Sequence, residues 1–473
     1  MAIQREELES IVLEVLSSLH ISDRRAGPSG GQGELGVFER LEDAVAAADQ
    51  AYGCLDTLAV RERVVEVIRK AARMNARRLA EMAVDETGMG RIEDKIKKNL
   101  LVAERTPGPE ILSPSAISGD TGLTLVENAP WGVIASVTPS TNPAATVVNN
   151  GISMISGGNS VVFAAHPNAK RTTQETIKIL NKAVAKETGI DNLLTCVREP
   201  SIESAQQLFS YPGINLLVVT GGEGVVNAAR RATDKRLIAA GAGNPPVVVD
   251  DTADVERAAQ SIYAGASFDN NIVCCDEKVV VAVDSIADNL KRELVACGAV
   301  EISLTQAEAV ASVAMHDFPG PDCRPDRRWV GRDAAELAHA GGFEAPESCR
   351  LLFVDVGRNV NHVFARIEQM MPLIPMLRAR DFEEAVDWAI ALEGGRLHSA
   401  GLHSRNIDNM DLMARRVNSS LFVKNGPLLA GLGAGGEGWT SMTISTPTGE
   451  GVTNARTFVR FRRCTLVGSF RIV

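Results

Sequence analysis

The body of the chain alternates short apolar runs with longer amphipathic segments. The runs at 133–137, 160–164, 193–197 and 216–219 are mostly apolar, as expected of strands buried on both faces. Between them the apolar residues have helical spacing, and one such segment begins at Asn142-Pro143, an N-cap residue followed by a proline. The alternation predicts a doubly wound parallel sheet that binds ligands at the carboxyl ends of its strands.

The same alternation restarts around a second centre after residue 241. The pattern predicts a helix over 253–264 and a strand over 279–283, with an Asp- and Asn-rich loop between them. We therefore expect a domain boundary near residue 241 and an α/β fold on both sides of it.

Two further segments, 122–127 and 462–473, have the alternating pattern of strands at a sheet edge. Their apolar faces would be exposed in a monomer. We therefore expect them to pair between subunits of a homo-oligomer.

The first 36 residues differ from the body of the chain. Apolar residues between Leu8 and Leu19 fall on one helix face, and a Gly- and Ser-rich linker begins at Ser22. Two interpretations stay open: an ordinary terminal helix packed on this chain, or a helix that binds a groove on another protein. The helix lacks the basic face of a membrane-surface helix or a mitochondrial presequence.

Composition and charge narrow the function classes. The 473 residues carry a net charge of −10, and only 4% are aromatic, which argues against partners such as nucleic acid or anionic membranes. The uncharged segment 128–169 contains several prolines and asparagines, so it is interpreted as buried core and not as a membrane span. The eight cysteines include no C-x-x-C pair, which indicates a reducing cytoplasm without a disulfide scaffold.

Cys274 is the strongest candidate for a catalytic group. It follows an Asn270-Asn271 turn at the start of a strand, although a cysteine is more often a small buried apolar residue than a nucleophile. In an extended segment Cys274 and Cys275 would point in opposite directions, one to a cleft and one to the core. The pattern alone does not decide which faces the cleft.

Two other motifs are weaker. Residues 431–436 match G-x-G-x-x-G, but a loop and a strand follow instead of the helix that a pyrophosphate site requires. His398 and His403 have neither an intervening Glu nor a neighbouring cysteine, so no metal site is predicted there.

Five segments together resemble the CoA-acylating aldehyde dehydrogenases, and most of all the members found in ethanolamine-utilisation microcompartments. The segments are NAPWGVIASVTPSTNP at 128–143, VVTGGE at 218–223, FDNNIVC at 268–274, EQMMP at 368–372 and AGLGAGGEGWTSMTI at 430–444. The resemblance spans essentially the whole chain. It implies the α/β aldehyde dehydrogenase fold, with a Rossmann-type cofactor domain, an α/β catalytic domain and a β-extension for oligomerisation.

The resemblance also implies a domain plan and a location. It assigns 37–241 to NAD binding (with an oligomerisation hairpin at 108–128), 242–450 to catalysis and 451–473 to C-terminal oligomerisation strands. Residues 1–20 resemble the encapsulation peptides of microcompartment cargo, joined through a flexible linker at 21–36. We therefore expect a dimer or tetramer in the bacterial cytoplasm, inside a microcompartment, with shell or cargo proteins as partners of residues 1–20.

The family chemistry places a thiolate nucleophile at Cys274. It adds to a short-chain aldehyde, hydride leaves for NAD, and CoA then displaces the acyl group as the co-substrate. The oxyanion needs donors, for which the resemblance offers the Cys274 N–H and a side chain of Thr141 or Asn142. The residues implied to bind the cofactor are Thr138, Pro139, Ser140, Thr220, Gly221, Gly222 and, at the nicotinamide ribose, Glu368.

The chain departs from the hydrolytic members of the family at one position. Their general-base glutamate lies in a Glu-Leu-Gly-Gly-Lys pattern, and the matching residues 239–243 here begin with Ala239. Water needs a base to attack a thioester, whereas a thiol supplies thiolate unaided, so the departure favours CoA over water. Two rival functions remain, a hydrolytic dehydrogenase and a non-catalytic cargo protein, and His398 either assists the chemistry or is a packed structural residue.

Overall fold

Two parallel β-sheets organise the chain, one built before residue 241 and the other after it. The computed structural model describes residues 33–320 and 322–471. The segment 1–20 and most of the linker predicted at 21–36 therefore lie outside the described residues.

The strands of the two sheets and of three smaller sheets are β1 (Val37–Phe38), β2 (Ser115–Gly119), β3 (Gly122–Pro130), β4 (Val133–Val137), β5 (Ser160–Ala164), β6 (Leu194–Val197), β7 (Ile214–Thr220), β8 (Arg236–Ala240), β9 (Pro246–Val249), β10 (Val279–Val283), β11 (Val300–Ile302), β12 (Met315–His316), β13 (Arg324–Pro325), β14 (Leu352–Gly357), β15 (Leu373–Ala379), β16 (Ser399–His403), β17 (Leu421–Lys424), β18 (Ile444–Ser445), β19 (Gly451–Val452) and β20 (Val459–Val467).

The α-helices are α1 (Leu41–Tyr52), α2 (Leu58–Thr87), α3 (Ile92–Arg105), α4 (Pro143–Ser156), α5 (Lys170–Thr188), α6 (Ile202–Ser210), α7 (Glu223–Ala232), α8 (Val255–Ala266), α9 (Asp284–Ala296), α10 (Leu304–Ala314), α11 (Ala334–Ala340), α12 (Val363–Arg366), α13 (Phe382–Glu393) and α14 (Ile407–Val417).

The first sheet has six strands in the order β1-β6-β5-β4-β7-β8, all parallel. Its central strands β4 and β5 are buried along their whole length, which is why the sequence shows them as apolar runs. Helix α4 begins at Pro143 as predicted, is buried on all sides, and ends at Ser156, directly before Gly157. The predicted α/β fold is confirmed.

The second sheet has seven strands in the order β11-β14-β15-β10-β9-β16-β17. Strand β10 occupies the residues predicted for it, and the predicted helix over 253–264 is α8, shifted by two residues. The loop between α8 and β10 lies at the amino end of this sheet, and it carries Cys274.

A three-stranded antiparallel sheet joins distant parts of the chain. Strand β3 pairs with β2 in a hairpin and with β20 from Val459 opposite Pro130 to Val467 opposite Gly122. The hairpin expected within 108–128 therefore has its strands at 115–130, because residues 109–111 form a 3-10 helix. Ile117, Phe461 and Val467 are 62%, 76% and 77% exposed on this sheet.

Candidate active site

The loop before β10 reverses sharply at three consecutive residues. Asp269, Asn270 and Asn271 have φ angles of +46°, +55° and +62°, a left-handed conformation that Asn and Asp tolerate better than other non-glycine residues. Asn271 closes the loop because its side-chain Nδ2 donates to the carbonyls of Ala266 at 2.8 Å and Glu277 at 2.9 Å. The reversal presents Cys274 to the site.

The structure separates the two neighbouring cysteines. Cys274 is partly exposed, whereas Cys275 is fully buried in an apolar cluster with Leu429 and Leu432. Burial, and secondarily the Glu368 carboxyl, raise the pKa of the Cys274 thiol to about 12, although Lys278 acts in the opposite direction. The thiol is therefore protonated at neutral pH in this structure.

The sequence reasoning missed several ionisable side chains that lie beneath the Cys274 loop. The Lys278 ammonium is fully buried and donates to the Val273 carbonyl at 3.1 Å and to Asn271. Burial raises the pKa of Asp276 well above its ordinary value and that of Glu277 to about 8. Their signal in the sequence was the unbroken Asp276-Glu277-Lys278 run before an apolar strand, which is unusual for residues that pack inside.

Gly243 brings three predicted site residues together. Its N–H donates to Glu368 Oε1 over 3.3 Å, and a Cβ atom at Gly243 would lie 2.7 Å from the Cys274 carbonyl oxygen and 2.9 Å from the His398 ring. His398 is fully buried and its Nδ1 pairs with Ser399 Oγ at 2.7 Å. Burial lowers the pKa of His398 to about 4, so the imidazole is neutral at physiological pH.

An apolar cavity of about 370 Å³ adjoins the Cys274 loop. Val273, the residue before Cys274, is part of its wall, and the charged residues Lys97, Lys98 and Glu104 also line it. The apolar wall consists of Leu100, Leu101, Phe268, Val273, Leu429, Leu432, Ala434 and Met442. A cavity of this size and lining fits a small apolar ligand beside the Cys274 loop.

The residues expected to bind the cofactor lie at the carboxyl ends of two adjacent strands. Thr138 follows β4, and its N–H donates to the Ala164 carbonyl at the end of β5 over 3.1 Å. Thr220 ends β7, the neighbour of β4 on the other side, and its Oγ1 is 3.1 Å from Thr443 Oγ1. Pro139 and Ser140 continue from Thr138 and are half-buried.

The turn after β7 leaves open space for a ligand. A Cβ atom at Gly222 would meet nothing within 4 Å, and α7 begins directly after it without a side-chain cap. Gly221 donates its N–H to the Ala240 carbonyl over 3.1 Å, which fixes the turn at the sheet edge. Uncapped helix N–H groups beside open space suit a dinucleotide phosphate, so these residues fit the expected cofactor.

Thr141 and Asn142 contact two buried lysines of α3. Lys95 Nζ donates to the Thr141 carbonyl over 3.1 Å, and Lys98 Nζ donates to the Asn142 side-chain oxygen. Both ammonium groups also bind the buried carboxylate of Asp269, at 3.1 Å in the case of Lys95. The sequence reasoning missed this cluster because its members are about 170 residues apart and carry no motif.

Ala239 lies in β8 and is fully buried in the apolar core. Within residues 33–320 and 322–471, no group of three or more His, Cys, Asp or Glu side chains is arranged to hold a metal ion. The helices described for this chain are all too short or too polar to cross a membrane.

Sequence and structure comparisons place this architecture among known enzymes. The aldehyde dehydrogenase family pattern matches residues 32–306. An acetaldehyde dehydrogenase (acetylating) from Bilophila wadsworthia is 62% identical over 485 aligned positions, which cover 100% of both chains.

Two solved structures are also similar. A propionaldehyde dehydrogenase from the Clostridium phytofermentans fucose utilisation bacterial microcompartment has a TM-score of 0.89 and 41% identity, covering 93% of this chain and 100% of that one. A Rhodopseudomonas palustris propionaldehyde dehydrogenase with bound CoA and an acylated cysteine has a TM-score of 0.88 and 41% identity, covering 92% and 98%. The likeness extends over nearly the whole chain in each case.

Proposed function

The chain belongs to the aldehyde dehydrogenase family, and we propose that it converts acetaldehyde or a similarly short aldehyde, NAD and CoA to acyl-CoA and NADH. The observation that carries the proposal is the partly exposed Cys274 beside an apolar cavity, with an alanine where hydrolytic relatives hold their base. The full-length similarity to an acetylating acetaldehyde dehydrogenase supports the same reaction.

In the first half-reaction the Cys274 sulfur forms a bond to the aldehyde carbon. The S–H bond breaks and its proton passes to water at the partly exposed thiol, and the carbonyl oxygen becomes an oxyanion that needs preorganised donors. The Cys274 N–H and a side chain of Thr141 or Asn142 supply them. The C–H bond then breaks with its electron pair, and a thioester remains on Cys274.

Thr138, Pro139, Ser140, Thr220, Gly221 and Gly222 hold the dinucleotide along the sheet edge, and Glu368 lies at the nicotinamide end. NAD, when bound, supplies the hydride acceptor for the first half-reaction. Glu368 reaches this position because its carboxyl is fixed by the Gly243 N–H next to the Cys274 loop.

In the second half-reaction the CoA sulfur attacks the thioester and the Cys274 thiolate leaves. Residue 239 supplies no carboxylate to activate a competing water, since Ala239 is packed in the core of the first sheet. A thiol with an ordinary pKa of about 8.5 needs less help than water does. The partition of the thioester therefore favours CoA.

The test follows NADH formation from acetaldehyde with and without CoA, in wild type, Cys274→Ala and Cys275→Ala. We expect repeated turnovers that require CoA, yield acetyl-CoA, disappear in Cys274→Ala and persist in Cys275→Ala. Steady turnover without CoA, with acetate as the product, would establish the hydrolytic rival instead. A chain without any turnover would support a non-catalytic cargo role.

We also propose that the chain forms a homo-oligomer through the sheet of β2, β3 and β20. Its exposed apolar residues Ile117, Phe461 and Val467 support this, because such side chains are normally covered. The test compares the molar masses of wild type and Phe461→Asp by light scattering. We expect a dimer or tetramer that dissociates in the variant, and an unchanged mass would contradict the proposed interface.

We further propose that the enzyme resides in a bacterial microcompartment, directed there by residues 1–20. The similar propionaldehyde dehydrogenase of a fucose utilisation microcompartment supports this location. Deletion of residues 1–20 is expected to leave turnover intact and to abolish co-assembly with shell proteins. Loss of turnover on deletion would show that the segment is needed for the fold.

A further inference from the structure

The turn at Thr141 and Asn142 has its hydrogen-bond acceptors occupied by lysines. Lys95 donates to the Thr141 carbonyl over 3.1 Å, and Lys98 donates to the side chain of Asn142. A lysine ammonium has donors only, so the Asn142 atom that faces Lys98 is the carbonyl oxygen. This contact fixes the orientation of the Asn142 amide, with its nitrogen on the far side from Lys98.

The Asn142 amide nitrogen in turn donates to Thr141 Oγ1 over 3.2 Å. Because this hydroxyl oxygen already accepts a hydrogen bond, its own proton is available to a further acceptor. Ammonium, amide and hydroxyl therefore form a one-directional chain, in which each donor polarises the next. The hydroxyl end of such a chain is a stronger donor than an isolated threonine.

Two observations place these hydrogen-bonded residues near the cavity that adjoins the Cys274 loop. Lys98 lines the 370 Å³ cavity together with Val273, the residue before Cys274. It also lines a smaller void, of about 10 Å³, whose walls include Thr141 and Asn142. The Lys98 side chain therefore borders both the Thr141–Asn142 turn and the cavity that adjoins the Cys274 loop.

Lys98, the first donor of this hydrogen-bond chain, is held rigidly and its charge is buried. The Lys98 side chain is 3% exposed, and it binds the Asp269 carboxylate, which is fully buried. Asp269 also accepts the Arg91 N–H at 2.8 Å and a second lysine, Lys95, at 3.1 Å. These contacts hold the Lys98 ammonium in one position at the start of the hydrogen-bond chain.

We propose that Lys98 is a positioning residue for the oxyanion hole: through the Asn142 amide it orients and polarises the Thr141 hydroxyl, which donates to the substrate oxyanion. This inference rests on the proposed function and chooses between the two donor side chains left open there. Thr141 touches the substrate, whereas Lys98 and Asn142 act through it.

The experiment measures the rate of NADH formation in the first turnover, before CoA reacts, using acetaldehyde with Lys98→Met, Thr141→Val and the double variant. Removal of one oxyanion donor costs about 10²–10³ in rate, and we expect a loss of this order in Thr141→Val. Lys98→Met is expected to lose about tenfold to a hundredfold, and the double variant about as much as Thr141→Val alone, because the residues act as a unit. The KM for CoA should not change.

Further variants distinguish the hydrogen-bond chain from Lys98 through Asn142 to Thr141, called the relay here, from a purely structural role of Lys98. Asn142→Asp keeps an acceptor for Lys98 but removes the amide donor, and together with Thr141→Val, which leaves that amide in place, it tests the relay even where Lys98→Met is too unstable to measure. We expect Asn142→Asp to lose rate at an unchanged melting temperature, and Lys98→Arg to restore part of the rate lost in Lys98→Met. Lys182→Met, at an exposed position of α5, is the matched control with wild-type rate.

Three outcomes would overturn the relay: an unchanged rate in Thr141→Val, an unchanged rate in Asn142→Asp, or losses that multiply in the double variant. Failure of the proposed function is distinguishable, because it would appear as a lack of CoA-dependent turnover in wild type and in Lys182→Met.

Discussion

Gly243 lies directly against Cys274, so closely that a Cβ atom on Gly243 would be 2.7 Å from the Cys274 carbonyl oxygen. A carbon at that distance from a backbone atom cannot be accommodated without movement. The same carbon would lie 2.9 Å from the His398 ring, which is buried and has no space to withdraw. The position of the Cys274 loop therefore requires glycine at residue 243.

Gly243→Ala is expected to lower turnover by tenfold or more, since a displacement of about 1 Å at a nucleophile can cost about 10²-fold in rate. Gly119→Ala is the matched control, because a Cβ there meets nothing within 4 Å. Steady-state kinetics of both variants make the comparison. Equal activities would mean that the Cys274 loop shifts without consequence.

Cys274 is expected to be alkylated slowly in the free enzyme. Burial and the Glu368 carboxyl raise the pKa of its thiol from 9.0 to about 12, so very little thiolate exists near pH 8. Cys54 is exposed and lies outside the proposed oligomer interface, so it should react first with iodoacetamide. Peptide mass spectrometry over time gives the order of modification, and preferential labelling of Cys274 at pH 8 would contradict the burial argument.

The free energy of unfolding should fall as the pH rises from about 5 to about 8, in part because of Glu277. Burial raises the pKa of this carboxyl from 4.5 to about 8, so the folded state holds a proton that the unfolded state has released. The contribution of Glu277 to stability is fully present below 4.5, its pKa in the unfolded chain. It is lost as the pH rises through about 8, its pKa in the folded protein.

Glu277→Gln is expected to remove this part of the slope, because the amide resembles the protonated acid and keeps an acceptor for the Leu428 N–H, which Glu277 Oε1 binds at 2.8 Å. Urea unfolding at pH 5.5 and pH 8.5 measures how much the free energy of unfolding falls between the two pH values. This fall should be larger in wild type than in the variant, by a difference on the order of 3 kcal/mol. Parallel pH profiles would show that Glu277 is ionised in the folded protein.

The volume of the cavity predicts activity on aldehydes longer than acetaldehyde. About 370 Å³ next to the Cys274 loop leaves room for additional methylene groups against Phe268 and Leu432. Ala434→Leu should fill part of that space and lower kcat/KM for butanal more than for acetaldehyde. One methylene in such a pocket is worth about 1–3 kcal/mol, so the ratio should change by tenfold or more. An unchanged ratio would place the acyl chain elsewhere.

The parts of the fold that the sequence predicted well are those fixed by local pattern. Strand β10 is a run of five buried residues, and α4 begins at Pro143 because proline suits the first helical position. Helices α1 to α3 were not predicted, although α2 carries apolar residues at helical spacing from Val64 to Ala83. This spacing is sufficient to predict a helix over these residues.

The site was predicted only as far as motifs and resemblance reached. Cys274 and Glu368 stand in segments that carry the resemblance, and the structure leaves Cys274 partly exposed while Cys275 is buried. The Asp269 cluster could not be predicted, because Lys95 and Lys98 contact that carboxylate only through the tertiary fold. An isolated lysine in an amphipathic helix is normally solvated.

The pairing of β20 with β3 has a consequence for the order in which the protein is made. Strand β3 ends at Pro130, but the strand that covers it along nine residues is made about 330 residues later, after both parallel sheets. Both parallel sheets can form during synthesis, since domains fold as their own segments emerge. The three-stranded sheet must wait until residues 459–467 have been made, so translation that stops before residue 459 would leave the edge of β3 open to pairing with other chains.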